Sequence, residues 1–216
     1  MAISEQQRQK KLAKKKQKRS PTTKKLTPSM TKAKAYAKLP IHECLIPDDL
    51  FTSGLGELII ARRTPNSDIA FSAFVIDVFC LGVKDAMFSV MSEYDYEQKI
   101  KLGMARAANR TFEKLPQTSA KKLLDGLLNY SNELGFKPHP DYKYAYDIFG
   151  DIDASVSPEK YTFGRNGRPF YINGPFESEA DIKRILNSLT KSCGVDGFDT
   201  LVRLDDDMDD IADDFL

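Results

Sequence analysis

Cysteine and histidine are scarce in this chain, and the patterns that usually organise them are missing. The 216 residues include three Cys and two His. Cys44, Cys80 and Cys193 form no CxxC pair and have no Cys/His ligand spacing, which argues against a structural zinc site. An odd, sparse set of cysteines in apolar surroundings indicates reduced thiols in a cytosolic protein. With two His, mechanisms that depend on His have few options.

Long apolar runs and nucleotide-binding loops are also missing. No run approaches the ~20 residues of a membrane span. The first basic residues are followed by no apolar segment of a secretory signal, and they are mostly Lys rather than Arg, which argues against a transit peptide. No Walker A loop and no GxGxxG occurs, so nucleotide binding of those types has no support. We therefore predict a cytoplasmic protein without a membrane segment, and we assign it no cofactor and no metal.

Charge is strongly segregated along the chain, although the net charge is only +1. Residues 1–38 hold eleven Lys and two Arg against the single acid Glu5, a net charge of +12. Residues 205–216 hold seven Asp and no base. The chain thus divides into a basic arm (1–38), a domain (39–204) and an acidic tail (205–216). The arm has too few apolar side chains to offset its ordering entropy, so we expect it to be disordered when free.

The basic arm is the clearest functional feature. Like charges four residues apart oppose a helix there until a polyanion neutralises them, which favours nucleic-acid phosphate as the partner. Such contacts give affinity without sequence specificity. The alternatives are a solubilising segment, a nuclear localisation signal in a eukaryote and, since no apolar face would anchor the arm, a weaker contact with an anionic membrane. The predicted phosphate contacts are Lys10, Lys11, Lys14, Lys15, Lys16, Lys18 and Arg19.

The acidic tail intersperses its carboxylates with a few apolar residues, including Met208 and Phe215. It is either a solvated segment or a competitor of nucleic acid for the basic arm, in cis or in trans. Its seven carboxylates would reduce the positive charge that the thirteen cations of the arm present to nucleic acid without cancelling it, and salt screens the attraction between tail and arm.

The strand patterns in the domain predict mostly antiparallel pairing. Two runs rich in β-branched and aromatic residues flank the turn TPNSD and predict a hairpin with strands near 56–63 and 69–80. Asn166-Gly167 predicts a second hairpin with a two-residue turn, in which Phe163 faces Phe170. The segment FDTLVRL predicts a last strand.

Helix signals alternate with these strands. Ser92 and Ser178 each precede an acid by three residues, as in a capping box, and predict helices that begin there. A leucine stripe over 123–134 predicts a helix that ends at Gly135, and Asp141 is expected to cap a short aromatic helix. The prediction is therefore α+β: one domain with a mostly antiparallel sheet, made of two hairpins plus a C-terminal strand, packed with four or five helices.

The stretch FVIDVFCLGVKDAMF, residues 74–88, places one acid in an apolar strand. Such an acid is costly unless it is paired, exposed or bound to a metal. Asp77 is therefore the first catalytic candidate, and Asp85, Glu57, His139 and Asp141 could join it in a metal-dependent hydrolase or nuclease. The alternative for Asp77 is an ion pair with Arg62, Arg63 or Lys84, or a place at the sheet edge.

The rest of that stretch has structural interpretations. Cys80 shares a strand face with apolar residues and is expected to be a buried, inert thiol rather than a nucleophile. Gly82 permits a turn, and Asp85 is expected to cap a short helix, AMFSVM.

Arg165 and Arg168 form a second candidate for anion binding and are the predicted nucleic-acid contacts on the domain itself. The two-residue turn places them opposite each other, so an anion would relieve their repulsion. The alternative is that arginines at a hairpin tip serve solubility.

The segments PIHECLIPDDLFTSGLGELIIARR and FVIDVFCLGVKDAMF, together with LGFKPHPDY, resemble a group of uncharacterised bacterial proteins in which a Lys-rich segment commonly precedes the same globular part. The resemblance covers most of residues 1–150. It implies no activity, so it transfers no catalytic residue. It implies a bacterial cytosolic setting, and with it an RNA or DNA contact rather than a nuclear signal.

The leading hypothesis is a cytosolic nucleic-acid-associated protein, with RNA or the ribosome preferred over DNA. The first alternative is a metal-dependent hydrolase that uses Asp77 with Asp85 or Asp141. The second is a protein-interaction module. The sequence predicts no oligomeric state.

Overall fold

The computed structural model describes residues 33–202, except Phe176 and the side chain of Ala107. The seven predicted phosphate contacts between residues 10 and 19, and the acidic tail, lie outside these residues. Within 33–202, no helix combines the length and the apolarity needed to cross a bilayer.

Strands and helices are interspersed in the described part. The strands are β1 (Ile41–Pro47), β2 (Leu55–Arg63), β3 (Asp68–Asp77), β4 (Gly82–Ser92), β5 (Phe112–Lys114), β6 (Phe170–Ile172) and β7 (Asp199–Leu201). The helices are α1 (Ala33–Tyr36), α2 (Leu50–Ser53), α3 (Glu93–Asp95), α4 (Leu102–Ala108), α5 (Gln117–Glu133), α6 (Tyr142–Tyr146) and α7 (Glu179–Cys193). A π-helical segment, Tyr96–Lys101, joins α3 to α4, and short 3-10 turns follow at Asp147–Phe149 and Ala154–Val156. The α+β prediction is confirmed.

Five strands form one antiparallel sheet in the order β4-β3-β2-β1-β5. Both faces of its central strands are buried, as the two apolar faces of β3 predict. Phe74 and Ile76 face a core that includes Leu123 and Leu127 of α5, whereas Phe71 faces a second core with Tyr96. The sheet is therefore covered by α5 and α6 on one side and by the helical segment from α3 to α4 on the other.

A third apolar cluster joins the last elements to this sheet. It contains Cys80, Leu134 and Tyr171, with Ile185 and Leu189 of α7. The strands β6 and β7 pair in parallel beside it, with Phe170 opposite Asp199. This arrangement brings α7 next to the end of α5 and to the turn between β3 and β4.

Local capping signals predicted several boundaries correctly. The Ser92 side chain accepts a hydrogen bond from the N–H of Asp95, and the Ser178 side chain accepts one from the N–H of Asp181. Gly135 has φ +85°, and the N–H of the next residue, Phe136, donates to the carbonyl of Ser131 at 2.8 Å, which ends α5 as predicted.

The prediction that Asp85 caps a helix is wrong. Residues 82–92 form β4, the longest strand of the described part, in which Asp85 pairs with Val75. Asp85 instead accepts a hydrogen bond from the adjacent N–H of Ala86. Pairing along β3 outweighs the helix propensity of Ala and Met here.

The second predicted hairpin is confirmed only at its turn. Asn166 and Gly167 have φ of +56° and +80°, and Arg165 and Arg168 exchange backbone hydrogen bonds across them. The predicted pairing of Phe163 with Phe170 is wrong, because the N–H of Phe170 donates to the carbonyl of Phe79 and that of Gly164 to the carbonyl of Val78. The β3–β4 turn thus takes the place of the expected partner strand.

Residues 33–38, which the charge pattern places in the basic arm, contain α1 and contact the domain. Ala33 is buried, and the Tyr36 ring lies 5.6 Å from the Phe88 ring.

The packing of the β3–β4 turn against α5 can be tested at Gly82. A Cβ on Gly82 (φ +75°) would lie 2.3 Å from the Ser131 Oγ and 2.5 Å from its Cβ, whereas a Cβ on Gly167 (φ +80°) meets nothing nearer than 3.9 Å. Both Gly→Ala changes cost ~1–2 kcal/mol of left-handed strain. Gly82→Ala adds overpacking of ~1–3 kcal/mol. We expect urea denaturation to show the larger loss of unfolding free energy for Gly82→Ala; equal losses would contradict this packing.

Candidate functional site

The turn between β3 and β4 accounts for Asp77. One carboxylate oxygen of Asp77, Oδ1, accepts hydrogen bonds from the backbone N–H groups of Phe79 and Cys80, both at 2.9 Å. Asp77 is the last residue of β3 and is buried. Its carboxylate therefore closes the turn from inside, in the manner of Asp side chains that hydrogen-bond the backbone two or three residues ahead.

Burial raises the pKa of Asp77 to about 6, although the N–H of Cys80, the Lys84 ammonium and the N–H groups of Phe79 and Leu81 all favour the ionised form. Of the cations predicted to pair with Asp77, Lys84 alone contributes to this balance. Arg62 donates to the carbonyls of Ile148 and Phe149, and Arg63 pairs with Glu93. Desolvation thus dominates the titration of this carboxyl.

Cys80 is fully buried beside Asp77, as expected of an inert thiol. Burial raises the pKa of its thiol well above the ordinary value, and the negative charge of Asp77 adds to the effect. Cys44, Cys80 and Cys193 are all free thiols. A thiol that resists ionisation is a poor nucleophile.

Three of the other catalytic candidates lie close together. Nδ1 of His139 lies 3.5 Å from Oδ1 of Asp85 and 3.9 Å from Oδ2 of Asp141. The N–H of Asp141 donates to Nδ1 at 3.3 Å, so the hydrogen of a neutral His139 ring lies on Nε2. This tautomer presents a hydrogen-bond donor at Nε2. Asp77 belongs to a different environment, inside its own turn.

His139 lines the cleft that is the best candidate functional site. The cleft has a volume of about 520 Å³. Three segments surround it: the start of β4, the loop of residues 135–140, and α7 with the residues just before it. The lining residues include three cations, Lys84, Lys137 and Arg184, and one carboxylate, Glu177. Much of the remaining surface of the cleft is apolar and is formed by Leu81, Val83, Phe136, Pro138, Pro140 and Ile185.

An irregularity of β4 positions Lys84 at this cleft. The register places Ile76 opposite Val83 and Val75 opposite Asp85, so Lys84 is an extra residue between two pairs. Such a bulge bends an edge strand and re-aims a side chain. Nζ of Lys84 then lies 3.2 Å from Oε1 of Glu177, across the cleft from β4 to the segment before α7.

The walls of the cleft are held together by hydrogen bonds. The N–H of His139 donates to the carbonyl of Val83 at 2.9 Å, which attaches the 135–140 loop to β4. Ser188 of α7 donates through Oγ to the carbonyl of Leu134 at 3.1 Å. The other carboxylate oxygen of Glu177 accepts from the Tyr171 hydroxyl. The cleft is therefore preformed.

Arg165 and Arg168 face each other across the turn, as predicted, but each has another contact. The Arg165 guanidinium lies 4.9 Å from the centre of the Phe170 ring. Arg168 pairs with Asp199 at 3.0 Å and donates to the carbonyl of Asp196. Asp199 thereby offsets the repulsion that would have favoured an anion between the two arginines. The anion site there stays a prediction.

A second polar cluster lies on the opposite side of the sheet. His42, Glu43 and Glu97 place possible metal-ligand atoms within 4.8 Å of one another. Burial would raise the pKa of Glu43, but Lys114 and Lys101 hold it below its ordinary value. The ammonium groups lie 3.0 Å and 3.3 Å from its carboxylate oxygens.

The chemistry of this cluster favours ion pairs over a metal. Nη2 of Arg63 lies 3.1 Å from Nδ1 of His42 and can only donate, so the hydrogen of the neutral ring lies on Nε2. His42 then offers no free lone pair toward Glu43, and two lysines already neutralise that carboxylate. We assign no metal to this cluster.

Sequence reasoning missed the cationic cleft because its residues come from distant segments. Lys84, Lys137 and Arg184 are separated by about fifty residues each and share no motif. The segment KPHP, just after the helix end at Gly135, is the one local signal: a Pro-rich loop with a cation and a His beside a helix terminus.

Comparison with known proteins identifies no relative. No family model, no curated protein and no solved structure matches the chain. The resemblance to a bacterial group, and the setting that it implies, therefore stay predictions.

The role of Asp77 in its turn predicts a distinctive pH dependence. The pKa of this carboxyl is raised in the folded state, so its contribution to stability is present below pH 4 and is lost as the pH rises through about 6. Asp77→Asn cannot ionise and keeps an acceptor oxygen. Its stability relative to the parent chain should rise between pH 4 and 7, by ~2–3 kcal/mol.

Urea denaturation across this pH range measures the effect. At pH 4, Asp77→Ala should lose ~1–3 kcal/mol, because two buried N–H groups lose their acceptor. An Asp77→Asn chain with the same pH profile as its parent would show that the carboxyl titrates normally and is not governed by burial.

Proposed function

We propose that this protein binds nucleic acid in the cytoplasm, RNA or the ribosome in preference to DNA, through the phosphate contacts of the basic arm. The observation that carries the proposal is the charge of residues 1–38, where thirteen cations accompany one acid. Each Lys or Arg that neutralises a phosphate releases condensed counterions, which makes binding favourable at low salt and nearly independent of base sequence. The resemblance to a bacterial group favours a nucleic-acid contact, with RNA or DNA, over a nuclear localisation signal.

The described domain is consistent with a binding role. Asp77, the residue on which the hydrolase alternative depends, uses its Oδ1 for two backbone N–H groups. The cleft that His139 lines combines three cations with a tautomer of His139 that donates at Nε2. These features favour recognition of an anion over general-base chemistry. The hydrolase and the protein-interaction module stay alternatives that no observation of residues 33–202 favours.

The arm can be tested by a deletion that spares the domain. Removal of residues 1–32 keeps α1 and its contact with Phe88. We expect the deletion to abolish most binding of single-stranded RNA at moderate salt, measured by fluorescence anisotropy. Seven phosphate contacts give a slope of log affinity against log salt of up to about −5 for a single strand, and the deletion should flatten it.

A substituted chain serves as a length-matched control. Replacing Lys10, Lys11, Lys14, Lys15, Lys16, Lys18 and Arg19 by Gln keeps the length of the arm but lowers its net charge from +12 to +5, and should reproduce most of the loss caused by the deletion. RNA affinity and salt slope that survive both changes would refute the proposal.

The acidic tail gives a separate prediction under the proposed competition for the arm. Deletion of residues 205–216 should raise the RNA affinity of the full chain at low salt, and the gain should disappear as salt screens the attraction. The same deletion in a chain that already lacks residues 1–32 should change nothing. An equal gain in both backgrounds would show that the tail does not act through the arm.

A further inference from the structure

We infer that the cleft between β4, the 135–140 loop and α7 is a nucleotide-binding site, which takes a phosphate together with a flat heteroaromatic base. This inference rests on the proposed function in one respect, which is that the nucleotide comes from a single-stranded RNA. The chemistry of the site does not depend on that source, because a free mononucleotide and one nucleotide unit of a strand present the same phosphate and base.

The charge of the cleft favours an anion. Lys84, Lys137 and Arg184 contribute three positive charges to the lining, and Glu177 contributes one negative charge. Glu177 is already held by two donors, Lys84 and the Tyr171 hydroxyl. Within residues 33–202 Lys137 forms no ion pair, and Arg184 pairs with the exposed Asp181 in a surface contact that an anionic ligand can replace at little cost.

The apolar lining favours a ligand with a flat body over an anion alone. Phe136, Pro138 and Pro140 lie on the same loop as Lys137, and Leu81 and Ile185 lie on the other walls. Inorganic phosphate would leave these side chains in water. A base can cover them while its phosphate meets the cations, and stacking on aromatic and apolar side chains tolerates any base.

His139 supplies a directional contact. Its Nδ1 accepts from the N–H of Asp141, so Nε2 is the donor that a neutral ring offers to a phosphate oxygen or a base edge.

The fold also presents this site without rearrangement. The bulge at Lys84 and the hydrogen bond from His139 to Val83 fix one wall against the other. A preformed site loses little conformational entropy on binding, which matters for a ligand as small as one nucleotide. The cleft volume of about 520 Å³ lies in the range of small-ligand sites.

Isothermal titration of the chain that lacks residues 1–32 tests the site without the arm. The probes are AMP, UMP, ribose 5-phosphate, inorganic phosphate and a single-stranded oligouridylate. AMP should bind more tightly than ribose 5-phosphate or phosphate, because only AMP uses the apolar lining. Equal affinity for AMP and phosphate, or no binding of any probe, would overturn the inference.

Two double variants separate the cleft from general surface charge. Lys137→Gln with Arg184→Gln removes two exposed cations of the cleft, and we expect AMP affinity to fall about tenfold or more. Lys183→Gln with Lys191→Gln removes two exposed cations from α7 outside the cleft, and should leave AMP affinity unchanged. Equal losses in both would show that net charge rather than the cleft binds the probe.

The same variants in the full chain distinguish this inference from the proposed function. If the arm binds RNA but the cleft does not, deleting residues 1–32 abolishes oligouridylate binding. The variant with Lys137→Gln and Arg184→Gln then leaves oligouridylate binding to the full chain unchanged, and AMP does not bind. If the cleft binds but the arm does not, the deletion changes nothing and the cleft variant weakens both probes. An oligouridylate that binds the deleted chain more tightly than UMP identifies a strand as the ligand source; equal affinity identifies a free nucleotide.

Discussion

The buried turn between β3 and β4 is the constraint on which the rest of the described structure depends. Its backbone groups lie away from water, so each needs a partner within the protein. Asp77 accepts two of its N–H groups, and the carbonyl of Phe79 accepts from both the Tyr130 hydroxyl and the N–H of Phe170. The sheet, α5 and β6 therefore meet at one set of hydrogen bonds. The same turn fixes the start of β4, and with it one wall of the cleft.

This dependence explains which parts of the fold could be predicted from the sequence. Elements whose ends are set by neighbouring residues, such as the capping boxes at Ser92 and Ser178 and the glycine end of α5, follow from local hydrogen bonds. β4 does not, because Ala, Met and Phe suit a helix as well as a strand and only pairing along β3 decides between them. The predicted strand pairing of the second hairpin is wrong for the same reason, since the N–H of Phe170 donates to a carbonyl of the buried turn instead of to Phe163.

The same distinction between local and long-range interactions applies to the candidate site. An acid in an apolar strand needs compensation for its burial, and the sequence predicts a cation, a metal or water at the sheet edge as the source. The structure uses a fourth, the N–H groups of the residues that follow Asp77 in its own turn. Such donors are present in every sequence, so residue types alone cannot reveal them. The cleft is equally hidden, because a bulge that depends on the register of β4 places Lys84 near Glu177.

The proposed arm and the proposed cleft differ in the physics of recognition. Lysines on an arm hold phosphate by counterion release, which falls steeply with salt and gives no fixed position. A preformed cleft holds one unit with short-range contacts that salt screens less. An arm raises the local concentration of a strand, so a cleft of weak intrinsic affinity can be filled without any new contact. The cleft, with its weak but oriented contacts, then determines which nucleotide unit is bound. The arm, with its strong but diffuse contacts, determines what fraction of the time the cleft is occupied. An acidic tail that competes for the arm would therefore lower occupancy of the cleft without touching it.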